Sequence, residues 1–486
     1  MNIKYEITTK SKLPGVIDKL FTDYFSLRDN VSGVIQGFIS PLKRQCNFFV
    51  EYPYVDKVYR DSYYNFYSSK LRRYRRNCIR ISIFTTKINN KDFRSIDSLG
   101  KLKKHYCGFF VIRPTLPSPI GRTVISPNAL SSNDFLTCTT QYPVTCNGIK
   151  LNVTGFPYSS QNTETISCAE TSLWSIAEYF GYKYAEYRPL LPSKIINILE
   201  QHTYERLLPS RGLDVYRMSY ILKDRGFGTR IYTRSSFTNF EALFSTYVES
   251  GIPIVVAMDD RQNGSGAHAH ALLCVGREKF TNDMLKGLKK VNGIYDLDEV
   301  DKKFVFIDDN HSPYQLATLS NPAANYDKSW HNCRINSFIA PLYPKIYLDA
   351  FKAKNCAIAL LNNFRKPFKF DDVYLRFFLS SSRSYKNYLA LNDELNDDIK
   401  NLFINTPMPK FIWVGELLSK NSIIDNKCIG LITLDATESN NRNLKPLIFA
   451  LYKKYIFIKE YNDLDILINR EPLKPFGVYK GNLNGF

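Results

Sequence analysis

No stretch of this chain approaches the roughly 18 uncharged apolar residues that a membrane-spanning helix needs. No two cysteines form a CxxC pair, and no internal repeat or long low-complexity tract is visible. The first absence removes a transmembrane helix from consideration. The second, in a chain whose ten cysteines are irregularly scattered, removes a zinc ribbon and a disulfide framework and fits a reducing compartment. The opening Met1-Asn2-Ile3-Lys4-Tyr5-Glu6 lacks the basic cap and apolar run of a secretory signal, so the expected chain is unexported and cytoplasmic. Tryptophan is scarce, 3 residues against 33 Tyr and 33 Phe, a balance that suits strands and half-buried surfaces.

What is present is ordinary for a folded protein: 44% hydrophobic and 23% charged residues over 486 positions. That length exceeds one core and predicts roughly two to four domains. The net charge of +19 is uneven, because residues 1–150 carry 24 basic and 10 acidic side chains. An anionic partner for the N-terminal third is therefore expected, whether nucleic acid, membrane surface or acidic protein. The densest run, Lys70-Leu71-Arg72-Arg73-Tyr74-Arg75-Arg76, follows Tyr59, Tyr63, Tyr64, Phe66 and Tyr67. As a helix it would place Arg72, Arg73 and Arg76 on one side, suited to nucleic acid, phosphate or an acidic protein; a solvated face is the plain alternative.

The patterning predicts a helix around Val16 to Phe25 and strands at Ile79 to Thr86 and Cys107 to Arg113. Pro114, Pro117, Pro119 and Pro127 then exclude a helix and confine any strand to a sheet edge. A change of module falls between about Ser131 and Gly155. Next, Leu173, Ile176, Ala177 and Phe180 recur at helical spacing, with Gly181 as the expected stop. Short apolar runs at Ile252 to Ala257, Ala271 to Val275 and Phe304 to Ile307 read as buried strands. Beyond Asp349, a helix near Ala350 to Asn363 and strands at Phe411 to Leu417 and Cys428 to Leu434 are expected. The expected domains are 1–150, 151–347 and 348–486.

Chemistry concentrates in the middle. Ser167-Cys168-Ala169-Glu170 is a capping box, which makes Ser167 the N-cap and Cys168 the first helical residue. Unpaired N–H groups and the positive end of the helix dipole favour thiolate over thiol at such a position. His270 immediately precedes an apolar strand, where it can face a helix N-terminus across a cleft and serve as base and then acid. Phe304-Val305-Phe306-Ile307 ends in Asp308-Asp309-Asn310; Asp309 is favoured to orient His270, with Asp308 and Asn310 as close alternatives. Gln161 could donate to an oxyanion together with the Cys168 N–H.

The Gln-x-x-x-x-x-x-Cys-Ala-Glu-Thr-Ser-Leu-Trp opening, the His-Ala-Leu-Leu-Cys-Val-Gly strand and the Ile-Asp-Asp-Asn strand end resemble the three motifs of the papain-like cysteine peptidases. They are most similar to the bacterial C39-like peptidases, over Gln161 to Tyr347. The resemblance implies a helical lobe and an antiparallel β lobe in the middle domain; with the mixed helix and strand patterning of the N-terminal and C-terminal domains on either side, the expected fold class is α+β throughout. It also implies hydrolysis of a peptide or isopeptide amide through a thioester on Cys168, with a protein or peptide substrate and neither cofactor nor metal. Two positions depart from the pattern. Asn162, not Gln161, lies six residues before the cysteine, and Ala169 replaces the usual glycine.

Other readings use the same residues. Transglutaminase-like or acyltransferase chemistry would pass the thioester to an amine. An inactive papain-like unit could sit in a protein whose basic third, around Lys70, Arg72, Arg73, Arg75 and Arg76, binds nucleic acid or an acidic partner. His268 and His270, two apart on an extended segment, could pair with Asp308 or Asp309 around a metal. Gly264-Ser265-Gly266 reads as a substrate-facing loop, and Cys274 as core.

Overall fold

β-Branched and aromatic runs separated by turn residues favour strands over helices in all three segments, and the computed structural model assembles them into three large sheets. It describes every residue except 1–2, 28–29, 163, 205, 211, 262–263, 265, 292, 369–371, 441–444, 461–462 and 469–471. Ser265 of the expected substrate-facing loop thus lies outside the described residues. Helices and antiparallel sheets together make the fold α+β, as expected. No helix of the described residues is long and apolar enough to cross a membrane.

The N-terminal sheet runs in the order Lys4–Thr9, Asn47–Tyr54, Cys78–Phe84, Tyr106–Ile112, Ile120–Ile125, Ile149–Tyr158, Thr140–Cys146. One expectation fails here. The strand Ile120–Ile125 is internal, between Tyr106–Ile112 and Ile149–Tyr158, and not at an edge. All four prolines flank that strand and none lies inside it, so no ladder N–H is lost.

The middle sheet is antiparallel, in the order Gln315–Thr318, Lys303–Ile307, Ala269–Glu278, Ile254–Asp259, Arg334–Leu342, Gly228–Thr233. The third large sheet is built on Val373–Ser381 and Phe411–Leu418. Strand pairing crosses both expected domain boundaries. Phe135–Cys138 joins the middle sheet beside Gly276–Glu278, and Leu483–Asn484 returns to pair with Thr137 and Cys138. Ile294–Asp296 adds in parallel to Val373–Leu375 of the third sheet. The three segments therefore share cores as well as strands. One hydrophobic cluster runs from Leu13 and Ile35 through Phe156 to Leu173, Ile176 and Leu273.

The helix Cys168–Lys183 is the element that this shared core surrounds. Ala169 through Phe180 are all buried, and the helix packs on both Ala269–Glu278 and Ile149–Tyr158. A helix buried on all sides lacks a polar face, and of its two buried carboxylates, Glu170 and Glu178, the second is neutralised in place by cations. Glu178 meets Lys57 at 2.8 Å and Arg122 at 3.1 Å, which fastens the N-terminal segment to the helix. Gly181 does not stop the helix as expected. A Cβ there would lie 2.6 Å from Pro189 Cδ, so its role is to let the following chain approach closely.

The basic run is not helical. Residues 70–77 follow the short 3₁₀ turn Tyr67–Ser69 as an irregular segment leading into Cys78–Phe84. Tyr59 Oη donates to the Arg75 carbonyl at 2.9 Å, Arg60 Nε donates to the Arg76 carbonyl at 3.1 Å, and the Tyr67 and Tyr74 rings pack 4.7 Å apart. These contacts to backbone and ring hold the segment in an irregular path, so Arg72, Arg73 and Arg76 have no common helical face.

Candidate active site

Local sequence places the sulfur. Ser167 is extended (φ −95°, ψ −175°), and its N–H donates to Glu170 Oε2 at 3.1 Å, as a capping box requires. Ser210 Oγ donates to the other oxygen of Glu170 at 2.6 Å, which holds that buried carboxylate in the first turn. Cys168 is the first residue of the helix. It is half-buried, whereas the other nine cysteines, Cys274 among them, are buried, so Cys168 is the one accessible thiol of the ten.

The sheet brings the imidazole to it. His270 stands near the start of Ala269–Glu278, opposite Met258. The next strand sets Ile307 opposite Leu273, so the chain beyond Ile307 turns back toward His270. His270 is buried, and the Cys168 thiol is one of the side chains that act on its imidazole. Its Nε2 lies 2.9 Å from Asp308 Oδ1, which leaves Nδ1 for the sulfur. Burial alone would lower the imidazole pKa; the Asp308 charge and hydrogen bond, helped by Cys168 and Asp309, outweigh it and raise the pKa well above the usual histidine value.

The carboxylate that meets His270 is thus Asp308 and not the favoured Asp309, whose Oδ1 is 3.5 Å from Nε2. Asp308 is satisfied throughout: Oδ1 also accepts from Asn310 N–H at 3.0 Å, and Oδ2 accepts from Tyr326 Oη–H at 2.7 Å. Burial opposes its charge, but the His270 charge and these donors bring its pKa down to about 2. Asp309 is the reverse case. Its Oδ1 is buried without a hydrogen-bond partner, and burial with the neighbouring Asp308 charge pushes its pKa up to about 7 against the pull of His270. Its Oδ2 lies 2.9 Å from Thr171 Oγ1, which also lies 2.9 Å from the Cys168 carbonyl. A hydroxyl has a single hydrogen, so Thr171 donates either to Asp309 Oδ2 or to the Cys168 carbonyl and links the two groups.

Gln161 and Asn162 separate by burial. Asn162 is buried and committed to its own loop, its Oδ1 accepting from the N–H groups of Thr165 and Ile166 at 2.8 and 3.0 Å. The Gln161 side chain stays near the surface, where Nε2 donates to Asn310 Oδ1 at 2.9 Å. Asn310 Nδ2 in turn donates to Tyr326 Oη at 3.2 Å. A continuous set of hydrogen bonds therefore runs from Gln161 through Asn310, Tyr326 and Asp308 to His270.

Three residues at this site had not been identified from sequence. Thr171 had a usable signal, since three residues after Cys168 is the same helical face. Tyr326 and Trp330 had none, because they approach from a distant loop. Their rings stack 4.5 Å apart, and the Trp330 ring lies 4.6 Å from His268 and 6.0 Å from His270. His268 itself pairs with Asp260 through Nδ1 at 3.2 Å. The alternative reading of His268 and His270 as a metal pair is therefore not supported, because His268 does not converge on Asp308 and Asp309. Among the described residues, the group whose donor atoms could close on a cation is His270, Asp308 and Asp309, all within 4.8 Å of one another.

A scan against protein-family models finds none that matches the chain, and a search of curated proteins finds no match.

Proposed function

We propose that the protein is a cysteine peptidase of the papain-like kind, cleaving peptide or isopeptide amides through a thioester on Cys168. The single observation that carries the reading is the half-buried thiol at a helix N-terminus beside a buried His270 whose Nε2 meets Asp308 at 2.9 Å. The Asp308 charge and hydrogen bond raise the His270 pKa well above its usual range, and a cationic imidazole is the partner that a nucleophilic sulfur needs.

The sulfur attacks the amide carbon, and two donors are assigned to the charge that develops on oxygen. One is the Cys168 N–H at the helix start; the other is the remaining Nε2 hydrogen of Gln161. His270 gives its proton to the leaving amine, then takes one from the water that hydrolyses the thioester. Asp308 keeps the ring oriented and stabilises its charge throughout.

Intact-mass measurement of iodoacetamide addition at about pH 6 tests the premise. One rapid adduct is expected in the wild type, none in Cys168→Ala, and a slow one in His270→Ala. Peptide cleavage, read on a digest of denatured protein, should disappear in Cys168→Ala. Retained cleavage in that variant would overturn the assignment. Incorporation of an added amine into product would instead favour acyl transfer.

A further inference from the structure

We infer that the exposed basic segment Lys70 to Arg76 is the docking surface for an acidic polypeptide presented to the Cys168 site. The inference rests on the peptidase reading and adds a substrate class to it. Lys70, Leu71, Arg72, Arg73, Arg75 and Arg76 are all exposed, and Leu71 is fully so. Elsewhere in the same segment of chain, arginines meet carboxylates: Arg80 pairs with Glu51 at 2.8 Å and Arg122 with Glu178 at 3.1 Å. Among the described residues no carboxylate meets Arg72, Arg73, Arg75 or Arg76. Four unneutralised guanidinium groups on a pinned backbone form a fixed positive field, in contrast to a mobile charged tail.

Its position gives that field a purpose. Lys70 Nζ lies 3.3 Å from Oε1 of Glu164, four residues before the nucleophile. Beneath this pair, the hydroxyls of Ser62 and Thr165 are hydrogen-bonded at 3.3 Å within the buried interior. The helix Lys57–Asn65, which leads into the basic segment, is thereby joined to the loop that ends at Ser167 and Cys168. The Lys70–Glu164 pair is itself more than a third exposed on each side, so it is weak and exchangeable. A carboxylate on a bound polypeptide can take the place of Glu164 on Lys70 while neighbouring carboxylates meet Arg72 and Arg73. Leu71, in the middle of the cations, adds an apolar contact that a polypeptide side chain matches and a phosphate backbone does not.

The test uses the full chain carrying Cys168→Ala, so that binding is read without turnover, and a fluorescein-labelled peptide of alternating Glu and Leu as the probe. Anisotropy should report binding that weakens as salt rises. The triple variant Arg72→Glu, Arg73→Glu, Arg76→Glu should weaken it about tenfold or more, while Glu164→Gln, which frees Lys70, should tighten it a few-fold. Equal affinity in the triple variant would overturn the surface. Tighter binding of a single-stranded oligonucleotide of equal charge would overturn the polypeptide assignment. A second measurement asks whether the surface serves the site: the unlabelled peptide should slow alkylation of wild-type Cys168 at about pH 8.5, where any accessible thiol reacts. Binding without protection would overturn that link. Because neither measurement needs catalysis, both remain readable even if the peptidase reading fails.

Discussion

Two clusters of buried charge in this molecule solve the same problem differently. Where the middle and third sheets meet, Glu249 is held by Arg277 at 2.5 and 3.1 Å and by Arg376 at 2.5 Å. Arg376 continues to Glu416 at 2.8 Å, and Glu416 also accepts from Tyr479 N–H at 2.9 Å. Despite full burial, the two guanidinium groups keep the Glu249 pKa far below the usual carboxylate range. Around His270 one cation serves two carboxylates, and the second is left with an orphaned oxygen. The first arrangement fixes every charge and joins two sheets. The second leaves a proton to be distributed, as acid–base chemistry requires.

The largest difference is expected between the two aspartates, each replaced in turn. Asp308→Asn should reduce cleavage and pH 6 alkylation on the order of a thousandfold, because His270 loses the group that sets its orientation and charge. Asp309→Asn should keep most activity; equal losses in the two variants would mean that the carboxylates act as one unit.

Next in size is the structural cluster. Glu249→Ala leaves two buried guanidinium groups short of a partner and should cost about 3–5 kcal/mol of stability by denaturant titration. Protein still folded should alkylate at Cys168 at the wild-type rate, and a large loss of reactivity would join the two clusters.

A smaller effect follows from pH. Asp309 keeps its proton up to about 7 in the folded chain, whereas an unfolded aspartate releases it near about 3.9. Between those values the folded state binds more protons, so this group's contribution to stability falls as pH rises. Asp308 has the opposite sign: its contribution is present above about 3.9 and disappears as pH falls through about 2. Stability profiles should therefore lose their decline from about pH 4 to 7 in Asp309→Asn, and a profile that keeps it would assign the proton elsewhere.

The smallest is Thr171→Val. It removes the hydroxyl between Asp309 and the Cys168 carbonyl and should cost about 1–2 kcal/mol. Alkylation should slow less than tenfold. A larger slowing would make Thr171 a positioning residue for the sulfur.

Local chemistry made much of this legible. Ser167 to Glu170 announced a helix start because a capping box acts within four residues, and the apolar runs after His270 and before Asp308 announced strands because side chains alternate with period two. The split between Asp308 and Asp309 was beyond such reasoning, since it depends on how the chain turns after Ile307 and on Tyr326 arriving from another loop. The sequence leaves open whether the basic run is helical for a related reason: its conformation is set by Tyr59, Arg60 and Tyr67, which hold its carbonyls and its one tyrosine ring.

By itself the sequence determined which residue types could react and on which elements they stand, because capping and periodicity are short-range forces. Only the tertiary structure decided which carboxylate faces His270, which of Gln161 and Asn162 stays at the surface, and where the unpaired arginines lie relative to Cys168. Those outcomes depend on burial and on contacts between segments more than 100 residues apart in the case of Thr171 and Asp309, and no local pattern encodes them.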